Sequence, residues 1–388
     1  MRTLPANLFK TWAEIDLGAI AGNIRAVRER CGAGVKILVG VKADAYGHGV
    51  FPVARTAIKA GAEWLGVSHV KEALELRGYF PEVPILILSS GMAGHTEFII
   101  RNRLTPVVCS LEIARDLAAA AKETGTIARA HVMVDTGMGR IGVWHETAPE
   151  FIRQFAGIDG VVIEGICSHF ACADEEDTAF TREQYARFRR VLEKVEAAGI
   201  RAPLRHIANS GALLSIPEAD LDLVRPGLMV YGIPPAPHLT RSIDLKPALT
   251  LKTQVAFLKT VQPGRTISYG RSYVAGKETR IATLPIGYAD GFSRAHSNRG
   301  QVLIRGERAP IVGNVTMDQL MVDVGHIPGA AVGDEAVLIG RQGEEEITAT
   351  ECAERIGTIS YEVLSQLGKR VSRVYLDGEE AKSRGQRA

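Results

Sequence analysis

The chain has 388 residues, 23% of them charged and 46% hydrophobic, with a formal net charge of +2. That length admits two domains or one large barrel with an appendage, and the balance is that of an ordinary soluble globular protein. The absence of any long basic run or bilayer-length apolar stretch argues against nucleic acid or a membrane as partner.

The opening "MRTLPANLFKTWAEIDL" lacks the apolar core of a secretory signal. The five cysteines (31, 109, 167, 172 and 352) are scattered without a CxxC pair. A cytoplasmic location is the economical expectation. From residue 37 to about 225, short β-rich runs alternate with helical stretches. The runs are "KILVGVK", "EWLGVS", "VPILILSS", "LTPVVC", "RAHVMVD", "VVIEGICSH", "PLRHIAN" and "DLVRPG". Amphipathic segments such as "VKEALELRGYF" and "TREQYARFRRVLEKVEAAG" separate them. Eight strands with intervening helices predict a (β/α)8 barrel of the TIM type, with an open doubly wound sheet as the alternative. A proline-rich stretch, "GIPPAPHLTRSIDLKP" (232–247), reads as a linker. Beyond it, "LTLKTQVAFLKTV", "TRIATLPIG", "QVLIRGERAPIVG", "MVDV" and "EAVLIG" are β runs between glycine-rich turns, with one late helical stretch near "TATECAERIG". The division expected is 1–240 for the barrel and 241–388 for a mainly β domain, the first residues being available to pair with the latter. The tail "DGEEAKSRGQRA" is polar and reads as frayed.

In a barrel the site lies at the carboxyl ends of the strands. Those ends carry Lys42, Ser68-His69, Ser89-Ser90, Asp135, Ser168-His169, Asn209-Ser210 and Arg225. A lysine ending a buried strand either snorkels to the surface or stands desolvated with a lowered pKa, able to form a Schiff base with a carbonyl. Asn209, Ser210 and Gly211 after the seventh strand could offer backbone N–H groups to a phosphate, and Gly227 after the eighth can let the backbone approach it closely; the plainer reading is that Asn209-Ser210 cap a helix. Lysine and phosphate cradle together point to pyridoxal 5′-phosphate. "GMGRIG" (137–142) fits GxGxxG but opens no convincing helix, and Cys167, His169 and Cys172 in "CSHFAC" lack a second ligand pair. No dinucleotide or metal is expected.

These residues stand in motifs that resemble alanine racemases across nearly the whole chain: "VKADAYGHG" (41–49), "DTGMGRIG" (135–142), "SHFACAD" (168–174), "ANSGA" (208–212), "RPGLMVYG" (225–232), "ISYGRSY" (267–273), "IGYADGFSR" (286–294) and "GNVTMDQ" (313–319). The resemblance implies a fold-type III pyridoxal phosphate enzyme that interconverts L- and D-alanine, with D-alanine destined for peptidoglycan. It also implies a homodimer whose active sites are each completed by the other copy's β domain. In its terms Lys42 holds the cofactor and is one base, and Tyr269 is the second. Tyr46, Ser210, the backbone of Gly227 and Tyr361 match positions around the phosphate. His169 matches the residue near the pyridine ring and Arg225 the one facing its nitrogen. Arg140 and Met317 match positions that receive the substrate carboxylate, and Tyr288 with the partner's Tyr361 the gate at the entrance.

One departure stands out. Many alanine racemases carry, two residues before "DTGMGR", a carbamylated lysine that orients the substrate-binding arginine. Here that position is Met133, which can bear no negative charge. The resemblance therefore implies another acceptor for Arg140: a small anion, a carboxylate or water. Three rivals are a racemase for another small amino acid such as serine, a non-enzymatic pyridoxal phosphate carrier, and a fold-related decarboxylase. The carrier would not need "ISYGRSY", and the acidic, cysteine-containing motif of the decarboxylases is not apparent.

Overall fold

The computed structural model describes residues 10–90 and 93–377. The polar tail from residue 378 onward lies outside the described residues. The chain divides into two compact units, residues 20–45 with 50–246, and residues 1–19 with 46–49 and 247–388.

The first unit is a parallel barrel. Its eight strands are Lys36–Gly40, Trp64–Val67, Ile85–Ile87, Thr105–Val108, Ala128–Asp135, Val161–Cys167, Leu204–His206 and Leu223–Val224. They pair in sequence order, and the eighth pairs back to the first through Leu223↔Lys36 and Val224↔Ile37. The seventh and eighth meet at one bridge, Asn209↔Arg225, with Arg225 N–H donating to Ala208 O at 3.0 Å. Such strands are covered on both faces, so they read as unbroken apolar runs rather than alternating ones. Ile37, Leu38 and Val39, for example, are all fully buried.

The barrel interior is closed by one layer with a side chain from every strand: Leu38, Trp64, Leu86, Val107, Met133, Cys167, Leu204 and Leu223. Polar residues lie buried as well. His131 and His206 are wholly enclosed, and His131 crowds Gly165 on the next strand, where a Cβ would come within 2.6 Å of its Nδ1. Of the helices outside, Ala179–Ala197 is the longest and buries Thr181, Gln184, Phe188, Val191 and Val195.

The second unit is mainly β. A seven-stranded sheet runs in the order Glu307–Pro310, Gln301–Ile304, Glu335–Gln342, Leu249–Gln254, Thr11–Asp16, Ser372–Leu376, with Glu345–Ile347 on Glu335–Gln342. Thr11–Asp16 thus sits between Leu249–Gln254, antiparallel, and Ser372–Leu376, parallel. A three-stranded sheet joins Phe257–Val261, Thr279–Leu284 and Leu320–Asp323. Its core includes Val261, Ile267, Ala275, Ile281 and Val312.

Three local expectations are corrected. "LTLKTQVAFLKTV" is two strands in different sheets, broken at Val255-Ala256. The late helix Ala349–Ile356 is followed by a second, Ser360–Ser365, six residues long and so too short to show a helical period. The linker stretch contains a 3-10 helix over Pro237–Ser242.

Gly165→Ala should cost about 1–3 kcal/mol, because its methyl must displace a ring that has no free space to enter. Calorimetry should show Tm lowered by several degrees. An unchanged Tm would mean that His131 shifts freely.

Candidate active site

Lys42 follows the first barrel strand directly. Its amine is half-buried, and its pKa is lowered by burial and then by the nearby Arg140 guanidinium, against an opposing pull from Glu72. The chain beyond it turns the unusual way. Ala43, Asp44, Ala45 and Tyr46 all have φ between +52° and +54°, a left-handed turn built without glycine. L-residues pay about 1–2 kcal/mol each for that conformation. Offsetting bonds come from Ala45 N–H to Val41 O (2.9 Å), Ala43 N–H to Glu72 Oε1 (2.8 Å) and Val50 N–H to Asp44 Oδ1 (2.8 Å). The other oxygen of Glu72 accepts from Ser68 N–H (2.8 Å) and His69 N–H (3.1 Å), so one carboxylate ties together the loops after the first two strands.

Arg225, 8% exposed, is the most heavily engaged cation of the barrel site. Its Nη1 donates to His206 Nδ1 (2.5 Å), and its Nη2 to Ser168 O (2.7 Å), His169 Nδ1 (3.0 Å) and Ile207 O (3.1 Å). Since a guanidinium only donates, His206 Nδ1 must accept. Neutral His206 then carries its proton on Nε2 and gives it to His131 Nδ1 at 2.7 Å. Neutrality is secured by burial and then by Arg225, which hold His206 and His169 well below the usual histidine range and His131 at about 3. Arg140 and Lys42 push His169 down further. Burial lowers Arg225 itself to about 10, still cationic at neutral pH.

Ser210 begins the short helix Ser210–Ser215, and its Oγ accepts from Gly227 N–H at 2.9 Å. The hydroxyl hydrogen is thereby left to donate to an anion. Asn209 turns its side chain inward as the helix cap, Oδ1 accepting from Ala212 N–H at 3.0 Å. Asp135 Oδ1 accepts from Gly137 N–H (2.9 Å) and Gly139 N–H (3.1 Å), shaping the loop that carries Arg140. The donor set suits pyridoxal phosphate. Lys42 offers an amine biased toward its nucleophilic neutral form, Ser210 an oriented hydroxyl, and Arg225 a permanent cation.

Met133 is buried in the barrel layer, with Cys167 Sγ at 3.9 Å from its Sδ. It lines, with Arg140 and His169, a crevice of ≈ 10 Å³, about the space of one water. Of the acceptors expected for Arg140 (a small anion, a carboxylate or water), its surroundings bear on the last. In the chain Arg140 is exposed, and among the described residues no ion pair or hydrogen bond engages it. Solvent can satisfy it.

The remaining sequence-predicted residues belong to the β unit. Tyr269 is 75% exposed in a turn held by Asn314 Nδ2 donating to its carbonyl at 2.7 Å. Tyr288 and Met317, 43% and 52% exposed, are linked through Tyr288 N–H to Thr316 O (3.0 Å) and Ala289 N–H to Met317 O (3.0 Å). Tyr46 is buried with its ring 5.9 Å from that of Tyr361, and burial, then Tyr361, drives its pKa far up. The structure thus gathers Lys42, Arg140, His169, Asn209, Ser210, Arg225 and Gly227 in the barrel unit and the five others in the β unit.

Sequence reasoning missed Glu72, His206, His131 and Gln184. Glu72 was recoverable from "SHVKE", where an acid three residues past a cap position signals a helix start. Gln184 was recoverable as a polar residue at an apolar position of its helix. The histidine pair left no such trace.

Comparison with known proteins identifies the family and the fold. Residues 15–235 match the family model for the alanine racemase N-terminal domain, and residues 248–375 that for the C-terminal domain. The alanine racemase of Halothermothrix orenii is 46% identical over 365 residues, 94% of this chain and 96% of the relative. That of Symbiobacterium thermophilum is 47% identical over 94% and 97%. Among solved structures, alanine racemase from Streptomyces lavendulae superposes with a TM-score of 0.90 at 40% identity, covering 95% of this chain and 98% of that one. The Bartonella henselae alanine racemase, described with covalently bound pyridoxal phosphate, gives 0.86 at 30% identity over 95% and 99%. Together the two family models cover most of both units and each of the eight motifs that carry the resemblance, and the chain belongs to the alanine racemase family.

Proposed function

We propose that the protein interconverts L- and D-alanine with pyridoxal phosphate, using Lys42 and Tyr269 as bases on opposite faces of the substrate. One observation carries this reading: in a chain that matches the family throughout, the strand-end amine of Lys42 is biased toward neutrality by burial and by Arg140. Free lysine and tyrosine titrate near about 10.4 and 10, too high for efficient proton abstraction at neutral pH. A desolvated lysine beside a guanidinium is a better base than its ordinary pKa allows.

Pyridoxal phosphate, when bound, supplies the electron-withdrawing system that acidifies the α C–H of an amino acid attached to it. The chain's part is to bind, orient and move protons. Lys42 and Ser210 would hold the cofactor, with Tyr46, Gly227 and Tyr361 around its phosphate and His169 against its ring. Arg225 would donate to the pyridine nitrogen and keep it unprotonated. A permanent donor there weakens charge delocalisation into the ring, which favours returning the proton to the α carbon. Arg140 and Met317 would face the substrate carboxylate. Removing a proton on one face at Lys42 Nζ and returning one from Tyr269 Oη on the other inverts the centre without moving either base.

The wide exposure of Tyr269, Tyr288 and Met317 in the single chain supports a homodimer in which the β domain of one copy completes the barrel site of the other. Among the described residues no helix is long and apolar enough to cross a membrane. The same reading extends to a cytoplasmic enzyme whose D-alanine supplies peptidoglycan.

Lys42→Ala should leave the protein folded but without borohydride-fixed cofactor; a stable reduced linkage in that variant would place the attachment elsewhere. Tyr269→Phe should slow exchange of the α hydrogen from L-alanine in heavy water by roughly 10²–10⁴-fold, with exchange from D-alanine far less affected. Equal losses from both enantiomers would contradict two bases on separate faces. With Met133 in the lysine's place, activity should be indifferent to removal of carbon dioxide and bicarbonate. Reversible inactivation on their depletion would reveal a carbamate at another position.

A further inference from the structure

Helix Ala179–Ala197 presents Phe180, Gln184 and Arg187 at spacings of four and three, and hence on one face. All three grip the loops that follow the fifth and sixth barrel strands. Gln184 is fully buried. Its Oε1 accepts from Ala171 N–H (3.0 Å), while its Nε2 donates to His169 O and to Thr136 Oγ1, both at 3.2 Å. A backbone N–H can only donate and a carbonyl only accept, so the amide has one orientation here. Thr136 Oγ1 continues the chain to Ser168 Oγ at 2.8 Å. Three residues on, Arg187 Nη1 donates to Thr136 O at 2.8 Å, its other nitrogen paired with Glu183 at 2.5 Å. The Arg187 guanidinium also lies 5.8 Å from the Phe180 ring. Gly137, at φ +136°, leaves no room for a Cβ, which would stand 2.8 Å from Phe180 Cζ and 3.1 Å from Arg187 Nη1.

We propose that Gln184 is a positioning residue for substrate binding, holding the loop of Thr136 to Arg140 and the loop of His169 to Ala171 in fixed relation so that Arg140 meets the substrate carboxylate. The inference rests on the reading that Arg140 receives that carboxylate. Gln184 touches neither substrate nor cofactor; it acts through Thr136 and His169. No other side chain of this size supplies an acceptor and a two-pronged donor at once. Glutamate would turn a carboxylate oxygen toward His169 O, and leucine would leave Ala171 N–H and His169 O unpaired.

The test uses the full-length, cofactor-loaded enzyme carrying Gln184→Glu, Gln184→Leu, Arg187→Met or, as reference, Arg140→Ala. Propionate, which is alanine without its amino group, serves as the binding probe by titration calorimetry. Both Gln184 variants should raise the Kd of propionate and the KM of alanine by about tenfold, while kcat changes far less and cofactor content per chain stays constant. Arg187→Met should move Kd the same way by a smaller factor, and it decides the matter if the Gln184 variants do not fold. Unchanged Kd in the folded variants, with Arg140→Ala weakening binding, would overturn the role of Gln184 alone. Unchanged Kd in Arg140→Ala would overturn the assignment of Arg140 itself.

Discussion

Everything at the mouth of the barrel depends on the left-handed turn behind Lys42. Four successive residues with side chains occupy a conformation that L-amino acids avoid. They stay there because their amides have nowhere better to bond: Val41 O, Glu72 and Asp44 take up the donors on either side. A glycine loop would adopt the same path more cheaply and leave it again as cheaply. The strained turn is over-determined by its neighbours, and the amine at its root is held to one region of the site.

Around that amine the barrel concentrates positive charge. Arg225 and Arg140 both act on His169, and Arg140 acts on Lys42. A cluster of cations in a half-buried setting would be unfavourable in isolation; the histidines are held neutral, the lysine is shifted toward its neutral form, and the Arg225 guanidinium is satisfied by carbonyl and imidazole acceptors. The result is a site with an amine biased toward its neutral form among fixed charges, an environment suited to ligands that bring their own anions. Phosphate and carboxylate are such anions.

Much of the architecture was legible in the chain. Strands buried on both faces announce themselves as short runs of Val, Ile and Leu, and the eight barrel strands were readable for that reason. Lys42 and Ser210 were readable because each follows such a run directly. Tyr269 was not: an exposed tyrosine in a turn has no pattern, and only its place in a recognised motif named it. The left-handed turn was illegible because "ADAY" contains no glycine to mark it. The links from Arg225 to His206 and His131 were hidden for a different reason. Arg225 and His206 stand 19 residues apart and His206 and His131 75 apart, on or beside different strands, and spacing along one chain segment carries no trace of a contact between strands. The short helix with Tyr361 is simply less than two turns long, below what periodicity can resolve.

The layer that takes one side chain from each strand constrains the edge of the site as well as the protein's stability. Met133 belongs to that layer, against Cys167, and also borders the crevice shared with Arg140. A substitution there is read twice, once by the packing and once by the chemistry. A lysine placed there would set a polar head where sulfur now meets sulfur, so its first effect would fall on the packing. Neighbours in the layer would have to change with it. The position therefore couples packing to chemistry, and a change of residue there is felt by the barrel layer and the crevice together.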